Sequence, residues 1–157
     1  MILKLRQRMA RDESGFTLVE LLVVMLILGL LAAIAIPAFF NQRDKAKDAS
    51  AKEAVRTAET AIETYSTDHN GSYLGANGSA AALVAIEPTL NDPPANTLTV
   101  SSAADHYSVT VTSSTSNKFQ ITRDATGQIH LTCDTGTGDG TGTTGTAGCP
   151  SGGNWGS

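Results

Sequence analysis

The sequence has few aromatic residues, two cysteines, and no ionisable side chain between Leu21 and Phe40. Aromatic residues make up 5% of the 157 positions, and about half of the long aliphatic side chains lie before Phe40. What remains after Phe40 can form only a small core, and a domain with a small core is marginally stable unless something else supports it. The chain therefore has room for one small globular domain.

Basic residues are scarce in the second half of the chain. Past Arg56 the only lysine and arginine are Lys118 and Arg123, against nine acidic residues, and the formal net charge of the whole chain is −4. Binding to nucleic acids depends on basic groups that displace counterions from phosphates. We therefore expect no direct nucleic-acid binding by the globular part.

Patterns typical of catalysis are absent from the sequence. His69, His106 and His130 are scattered, and there is no nucleophile elbow, phosphate-binding loop or metal-spaced cluster of carboxylates. An enzyme tethered by its N-terminus would need a larger body with a pocket and convergent polar groups. We expect no enzymatic activity and no cofactor.

The charge-free run Leu21–Phe40 is preceded directly by Glu20. As a helix the run is about 30 Å long, which is enough to cross the hydrocarbon core of a membrane. It fits a signal peptide cleaved at Ala33-Ile34-Ala35, an ordinary membrane anchor, or a segment retained behind a cut at Gly15–Phe16. Basic residues flank the run on both sides, so charge does not determine its orientation, and hydropathy alone leaves the three interpretations open.

The residues at the start of the run are more specific. They read Gly15-Phe16-Thr17-Leu18-Val19-Glu20-Leu21-Leu22-Val23-Val24, with Gly29 and Pro37 further along. This pattern closely resembles the N-terminus of type IV pilins and the related pseudopilins over residues 12–70. The resemblance implies a leader, Met1–Gly15, that a prepilin peptidase removes on the cytoplasmic side, followed by N-methylation of Phe16. It also implies that the mature chain polymerises through its apolar helix into a helical filament.

Glu20 gains a physical role from this resemblance. An exposed α-amino group has a pKa near 7.7–8.0 and is largely cationic at neutral pH. An unpaired carboxylate costs roughly 2.5–3.5 kcal/mol at the middle of a membrane, and less near the interface. The resemblance implies that Glu20 pairs with the Phe16 amine of a neighbouring subunit and sets the register of assembly. The alternative is that Glu20 lies solvated among the lipid headgroups.

Gly29 and Pro37 bound a segment whose helix is weak. Glycine weakens a helix by roughly 1 kcal/mol relative to alanine. Proline removes an amide donor and clashes with the carbonyl four residues before it, which here belongs to Ala33. The resemblance implies that Gly29–Pro37 can lose helicity in the filament, and a kinked but continuous membrane helix is the alternative.

The sequence beyond Phe40 predicts an α+β domain. The helix continues to Thr67 with a narrow apolar stripe, and Asn70 or Gly71 suits a left-handed cap. The stripe consists of Ala51, Ala54, Val55, Ala58, Ala61, Ile62 and Tyr65, and the charged residues between Arg43 and Glu63, including Asp48, mark the expected solvent face. A short helix at 79–86 and a turn at 91–94 precede four alternating runs. These runs predict an antiparallel meander with its apolar face on the helix: Thr97–Ser101, His106–Thr112, Lys118–Arg123 and Gln128–Cys133.

Cys133 and Cys149 bracket a loop rich in glycine and threonine. A domain outside the cytoplasm can hold a disulfide, and closing a loop of this length stabilises by roughly 3 kcal/mol. A C-terminal disulfide loop is also what the resemblance implies. Two cysteines do not complete a zinc site, and Asp134 and Asp139 match no calcium loop, so no metal is expected. The tail after Pro150 is predicted to be disordered, except that Trp155 can pack.

The segments expected from the sequence are a leader at 1–15, an apolar assembly helix at 16–40, an amphipathic helix at 41–70, a connection at 71–96, a sheet at 97–133, and a disulfide loop with tail at 134–157. The expected function is that of a structural subunit of a type IV pilus, which serves adhesion, motility or DNA uptake. The alternatives are a pseudopilin of a type II secretion system and a membrane-anchored binding module that does not polymerise. Expected partners are further copies of the chain, prepilin peptidase, the pilus assembly machinery and the cytoplasmic membrane. The precursor is expected in that membrane and the filament on the cell surface.

Overall fold

A computed structural model describes residues 15–77, 80–91, 97–134 and 148–156. The chain divides into two compact units, of which the first ends at Phe40 and the second begins at Asn41. Helix α1, Leu18–Asp68, belongs to both units. It is followed by a short helix α2, Ala81–Ile86, and a 3-10 turn, Pro88–Asn91. The expected α+β class is confirmed.

The C-terminal end of α1 has the left-handed cap that the sequence predicts. Asn70 and Gly71 both have positive φ, at 55° and 82°. The amide of Gly71 donates to the carbonyl of Ser66 at 2.7 Å, which is the long hydrogen bond of a Schellman motif. The same Ser66 carbonyl also accepts a hydrogen bond from the His69 amide at 3.1 Å, so this carbonyl of the last helical turn is fully satisfied.

The second unit contains one antiparallel sheet with strands in the order β1-β2-β3-β4. The strands are β1 Thr97–Ser102, β2 Tyr107–Thr112, β3 Lys118–Arg123 and β4 Ile129–Asp134. Each lies within one residue of the run predicted for it, because apolar residues at every second position and polar turns between them set both pairing and register. The short helix begins later than predicted, at Ala81, and most of the predicted turn at 91–94 lies outside the described residues.

The core of the second unit consists of the α1 stripe and one face of the sheet. Five of the seven predicted stripe residues are buried, and Ala54 and Tyr65 are partly buried against them. From the sheet, Tyr107, Val109, Val111, Phe119 and Ile121 fill the other side of the core. Ile129 differs from the prediction because it lies at the start of an edge strand, where its side chain remains 38% exposed.

Candidate functional site

The N-terminus of α1 is capped by Thr17. The Thr17 Oγ1 accepts a hydrogen bond from the backbone amide of Glu20 at 3.2 Å, and the Thr17 carbonyl accepts one from the amide of Leu21 at 3.2 Å. A threonine followed by glutamate three residues later is the sequence pattern of a helix start. Because the threonine hydroxyl satisfies the Glu20 amide, the cap does not require the Glu20 carboxylate.

The Glu20 carboxylate lies in the first turn of α1 on an exposed surface. In the part of the chain that the structure describes, no hydrogen bond or ion pair reaches this carboxylate. Phe16 is 75% exposed, and Gly15 has no atom within 4 Å of the position that a Cβ would occupy. The structure thus places Gly15, Phe16 and Glu20 together at an exposed helix start.

The apolar half of α1 is uncovered along its whole length. It is long and apolar enough to cross a membrane by length and composition alone, a test that a signal sequence also passes, and none of its most apolar 18-residue window is buried. Gly29 lies in open space and Pro37 lies inside the helix, which continues past it. The exposed large apolar side chains include Leu21, Leu22, Met25, Leu28, Leu31, Ile34, Phe39 and Phe40. An apolar patch of this size on a water-soluble surface would be an interaction site.

Asp48 is fully buried, so the prediction that places it on the solvent face of α1 is wrong. Its carboxylate accepts hydrogen bonds from Asn117 Nδ2 at 2.7 Å, from the Gly148 amide at 2.8 Å and from the Thr115 hydroxyl. These donors come from the β2–β3 turn and from the residue before Cys149. A buried carboxylate is tolerated when several donors satisfy it, and here it ties α1 to both segments.

Glu63 forms a second polar cluster further along α1. Its carboxylate accepts hydrogen bonds from the hydroxyls of Tyr73 at 2.9 Å and Tyr107 at 3.0 Å, and it pairs with Arg123 at 3.2 Å. Burial, followed by the hydrogen bond to Glu63, raises the pKa of both tyrosines above the ordinary value. The cluster joins α1 to the connection and to two strands of the sheet.

The predicted disulfide between Cys133 and Cys149 is confirmed, and both cysteines are buried. The predicted disorder of the tail is wrong for the described residues 151–156. The amide of Cys133 donates to the Gly153 carbonyl at 2.6 Å, and the indole of Trp155 donates to the Thr132 carbonyl at 2.8 Å. The tail therefore lies along the outer edge of β4, and its backbone groups are satisfied there.

No group of three or more histidine, cysteine or acidic side chains that could hold a metal ion occurs among the described residues. Asp139, weighed above as a calcium ligand, lies outside the described residues. His106 and His130 are exposed, and each lies near one aspartate, at 2.8 Å from Asp105 and 3.2 Å from Asp124. These are surface pairs within turns and strands, and the described residues around them form no buried pocket.

Sequence reasoning missed two functional features that left a signal. The pattern Thr17-Leu18-Val19-Glu20 predicts the helix cap. Asp48 precedes the stripe residues Ala51 and Val55 by three and seven positions, which is the spacing of one helix face. An acidic residue on the same helix face as a buried apolar stripe is predicted to be buried as well. Its hydrogen-bond donors are then expected among the polar residues of the turns.

Comparison with family models and with known proteins finds several matches to this chain. Residues 10–36 match the prokaryotic N-terminal methylation motif. The type II secretion system core protein G of Pseudomonas aeruginosa is 40% identical over 86 residues, which are 55% of this chain and 59% of that protein. A fimbrial protein of Neisseria meningitidis serogroup B is 38% identical over 78 residues, which are 48% of this chain and 44% of that protein.

A third relative is matched over most of its length. The type IV wide pilus major component PilA4 of Thermus thermophilus is 36% identical over 99 residues, which are 62% of this chain and 71% of that protein. In contrast, the chain spans 59%, 42% and 53% of the length of the core protein G relatives from Pseudomonas aeruginosa, Aeromonas hydrophila and Pectobacterium carotovorum. No solved structure matches the chain significantly.

Proposed function

This chain belongs to the type IV pilin and pseudopilin family, and on that basis we propose that it is a structural subunit of a type IV pilus. The single observation that carries the proposal is the uncovered apolar half of α1, with Glu20 at its start. A chain that exposes so much apolar surface needs a membrane as a monomer and other copies of itself in an assembly. The relatives compared above have names of pilus and secretion proteins rather than of enzymes.

Processing at Gly15 is the first step of the proposed function. A prepilin peptidase cleaves after Gly15, Phe16 becomes the N-terminus and is methylated, and the chain remains in the cytoplasmic membrane until it is assembled. The match of residues 10–36 to the methylation motif and the accessibility of Gly15 and Phe16 support this step. Mass spectrometry of the mature chain tests it: a start at methylated Phe16 is expected, and a start after Ala35 would overturn it.

Glu20 then directs the chain into the filament. Its carboxylate pairs with the Phe16 amine of a neighbouring copy. Both charged groups leave water at the same time, when the helices associate. An ion pair of this kind contributes specificity of register more than net stability. The Thr17 cap supports the proposal, because it leaves the carboxylate free for a partner.

A carboxylate-to-amide substitution tests the pairing. We expect Glu20→Gln to leave membrane insertion and leader cleavage unchanged and to reduce the yield of sheared filaments at least tenfold, since a loss of about 1.4 kcal/mol corresponds to a factor of ten. Glu87→Gln is the matched control, because the amide oxygen still accepts the hydrogen bonds from Thr89 that Glu87 accepts. A normal filament yield in the Glu20 variant would remove the proposed role of the pair.

The second candidate function is that of a pseudopilin in a type II secretion system. It is favoured by the relatives named core protein G, one of which is 40% identical to this chain. Electron microscopy of material sheared from the cell surface, with the subunit identified by mass, distinguishes the two functions. Long surface filaments made of this chain favour the pilus. If cells that produce the chain have no surface filaments, and removing the chain stops protein secretion, the pseudopilin is favoured.

A further inference from the structure

Charge is distributed unevenly in the second unit, and its two ends can be told apart by the turns of the sheet. Thr115 and Asn117 of the β2–β3 turn contact Asp48, whereas Tyr107 and Arg123, next to the β1–β2 and β3–β4 turns, contact Glu63. The unit therefore has one end near Asp48, called the proximal end, and an opposite, distal end. The distal end also includes the last turn of α1, which follows Glu63.

The proximal end is basic and the distal end is acidic. Bases at the proximal end are Arg43, Lys45, Lys47, Lys52, Arg56 and Lys118, and the acids there are Asp44, Glu53, Asp134 and the buried Asp48. At the distal end Arg123 is the base, and the acids are Glu59, Glu63, Asp68, Asp105 and Asp124. Two copies can thus attract each other only when unlike ends meet, because like ends repel.

Two of the proximal cations lie over aromatic rings. The Lys52 Nζ is 5.3 Å from the ring centroid of Phe119 and 5.6 Å from that of Trp155, and the Arg56 Cζ is 5.4 Å from the Trp155 ring. Within residues 15–77, 80–91, 97–134 and 148–156 neither side chain forms an ion pair. Aromatic faces hold a cation in place without neutralising it.

The same two cations line an open groove between α1 and the C-terminal tail. The groove has a volume of about 520 Å³ and is lined by two cations and one acid, Glu53, together with Ala49, Thr57, Thr60 and Trp155. Burial lowers the pKa of Lys52, and the nearby Arg56 lowers it further, whereas Asp48 acts in the opposite direction. The cost of this partial burial would be offset by a carboxylate that enters the groove.

The distal end offers carboxylates that can reach such a groove. Asp68 is exposed at the last residue of α1, and no hydrogen bond or ion pair to its side chain is found among the described residues. Asp105 is exposed in the β1–β2 turn, and that turn adjoins the end of α1 because the Tyr73 amide donates to the Ala104 carbonyl at 3.2 Å. Asp105 lies 2.8 Å from the ring of its neighbour His106, and Asp124 accepts hydrogen bonds from Thr126 and Gln128 within its own turn. Asp68 is therefore the most available of the three.

We propose that the groove of Lys52 and Arg56 receives the acidic distal end of a second copy of this chain, through Asp68 and Asp105. The inference deepens the proposed function and rests on it, because a head-to-tail contact between unlike surfaces propagates from copy to copy as a filament requires. In a row of identical copies, each proximal end meets the distal end of the next copy, and only the first and last copies have an end without a partner. The contact selects the orientation of the globular units, while the apolar helices supply most of the association.

Charge reversal with mixing is the experiment that tests the contact. The first variant is Lys52→Glu with Arg56→Glu, which places acidic side chains on both faces of the proposed contact. The second is Asp68→Lys with Asp105→Lys, which places basic side chains on both faces. Each is expressed as the full chain, alone and together with the other, beside the unaltered chain. Formation of the Cys133–Cys149 disulfide, read from an alkylation shift on a gel, reports on folding.

Each variant alone is expected to yield at least tenfold fewer filaments than the unaltered chain, and the two together are expected to restore filaments that contain both. Restoration by mixing is specific to a contact between two different faces of two copies. Normal filaments from either variant alone, or failure of the mixture when both variants are oxidised, would overturn the inference. If the unaltered chain forms no filaments, the proposed function itself fails.

Neutral variants replace the reversed ones if reversal prevents disulfide formation. Lys52→Gln with Arg56→Gln should make the filament yield less sensitive to salt between 50 and 500 mM, roughly the range over which exposed charges become screened. An unchanged salt dependence would overturn the inference. If instead the groove variants assemble normally and lose binding to anionic vesicles, the occupant is a membrane surface and not a second copy.

Discussion

Two carboxylates of α1 illustrate opposite uses of the same chemical group. Asp48 is buried and receives three donors from the chain itself, and Glu20 is exposed with its backbone amide satisfied by Thr17. A buried acid with all its donors present stabilises the fold, because removing any of them would leave a charge poorly solvated. Among the described residues no contact ties the Glu20 carboxylate to the fold, and the role proposed for it lies in association.

At the same scale, Tyr107 makes stability depend on pH. Burial and the hydrogen bond to Glu63 raise its pKa in the folded chain, whereas the unfolded chain titrates near pH 10. The folded state therefore holds the proton more tightly, so the stabilisation is complete below pH 10 and decreases as the pH rises above it. The expected loss is up to about 1.4 kcal/mol for each pH unit.

The measurement compares urea unfolding of the chain in detergent at pH 9 and pH 11, followed by the fluorescence of Trp155. The matched control is Tyr107→Phe, which retains the ring and Tyr73 but removes the titrating hydroxyl. The free energy of unfolding of this variant should decrease less between the two pH values than that of the unaltered chain. An equal decrease in the free energy of unfolding in both proteins would show that Tyr107 has the same pKa in the folded and unfolded states.

At the scale of elements, the C-terminal segment packs closely against α1 at Gly148. A Cβ built on Gly148 would lie 2.5 Å from the Asp48 Cβ and 3.1 Å from its Oδ2. We expect Gly148→Ala to reduce the free energy of unfolding by about 1–3 kcal/mol, since the backbone must move away from Asp48 and lose a hydrogen bond. Urea unfolding of the oxidised chain measures the change.

Gly152→Ala is the control for this prediction, because a Cβ at Gly152 would meet nothing within 4 Å. It adds the same methyl group to the same segment and should change the free energy of unfolding by less than about 0.5 kcal/mol. Equal effects of the two substitutions would mean that the methyl group acts through the flexibility of the segment and not through its contact with Asp48.

The elements themselves were predictable because each carries a local signal. Alternation predicted β3 to the residue and β2 to within one residue, and the left-handed cap at Asn70 and Gly71 follows the end of α1 as the sequence predicts. Most partners of Asp48 and Glu63 were not predictable, because all of them except Tyr73 lie 44 to 100 residues away along the chain. Distant polar contacts depend on the packing of elements, and a single sequence carries no local signal of that packing.

The tail was mispredicted for a related reason. Residues rich in glycine and serine suggest disorder, and the sequence shows Trp155 as one large side chain among them. Its indole packs on Phe119 with ring centroids 5.9 Å apart and bonds to Thr132. The backbone groups at the edge of β4 need hydrogen-bond partners, and the tail supplies them. The tail is therefore held in place by the sheet and not because of its own composition.

At the scale of the whole molecule, function depends on keeping a large apolar surface uncovered. The second unit closes its small core with a disulfide and two polar clusters and does not draw on the apolar half of α1 for its own core. The apolar side chains of the first unit are exposed, as the proposed function requires. A change that makes α1 a better helix can then oppose assembly, if assembly requires part of it to unwind.

Gly29→Ala tests that conflict. Its Cβ would meet nothing in the single chain, so the substitution should stabilise the helix there by about 1 kcal/mol without a clash. If Gly29–Pro37 loses helicity in the filament, the same energy opposes assembly, and the filament yield should decrease about fivefold. Leader cleavage and disulfide formation should be unchanged. Filament yield is measured from sheared material normalised to the membrane pool of the chain.

The mirror variant Ala35→Gly separates helix propensity from packing. It lies in the same segment at an exposed position and weakens the helix by about 1 kcal/mol, so it should not reduce the yield if unwinding is required. Because both variants change one methyl group in the assembly surface, a packing effect would lower the yield in both. A decrease in Gly29→Ala alone supports unwinding, whereas equal decreases, or none in Gly29→Ala, indicate that the helix enters the filament intact.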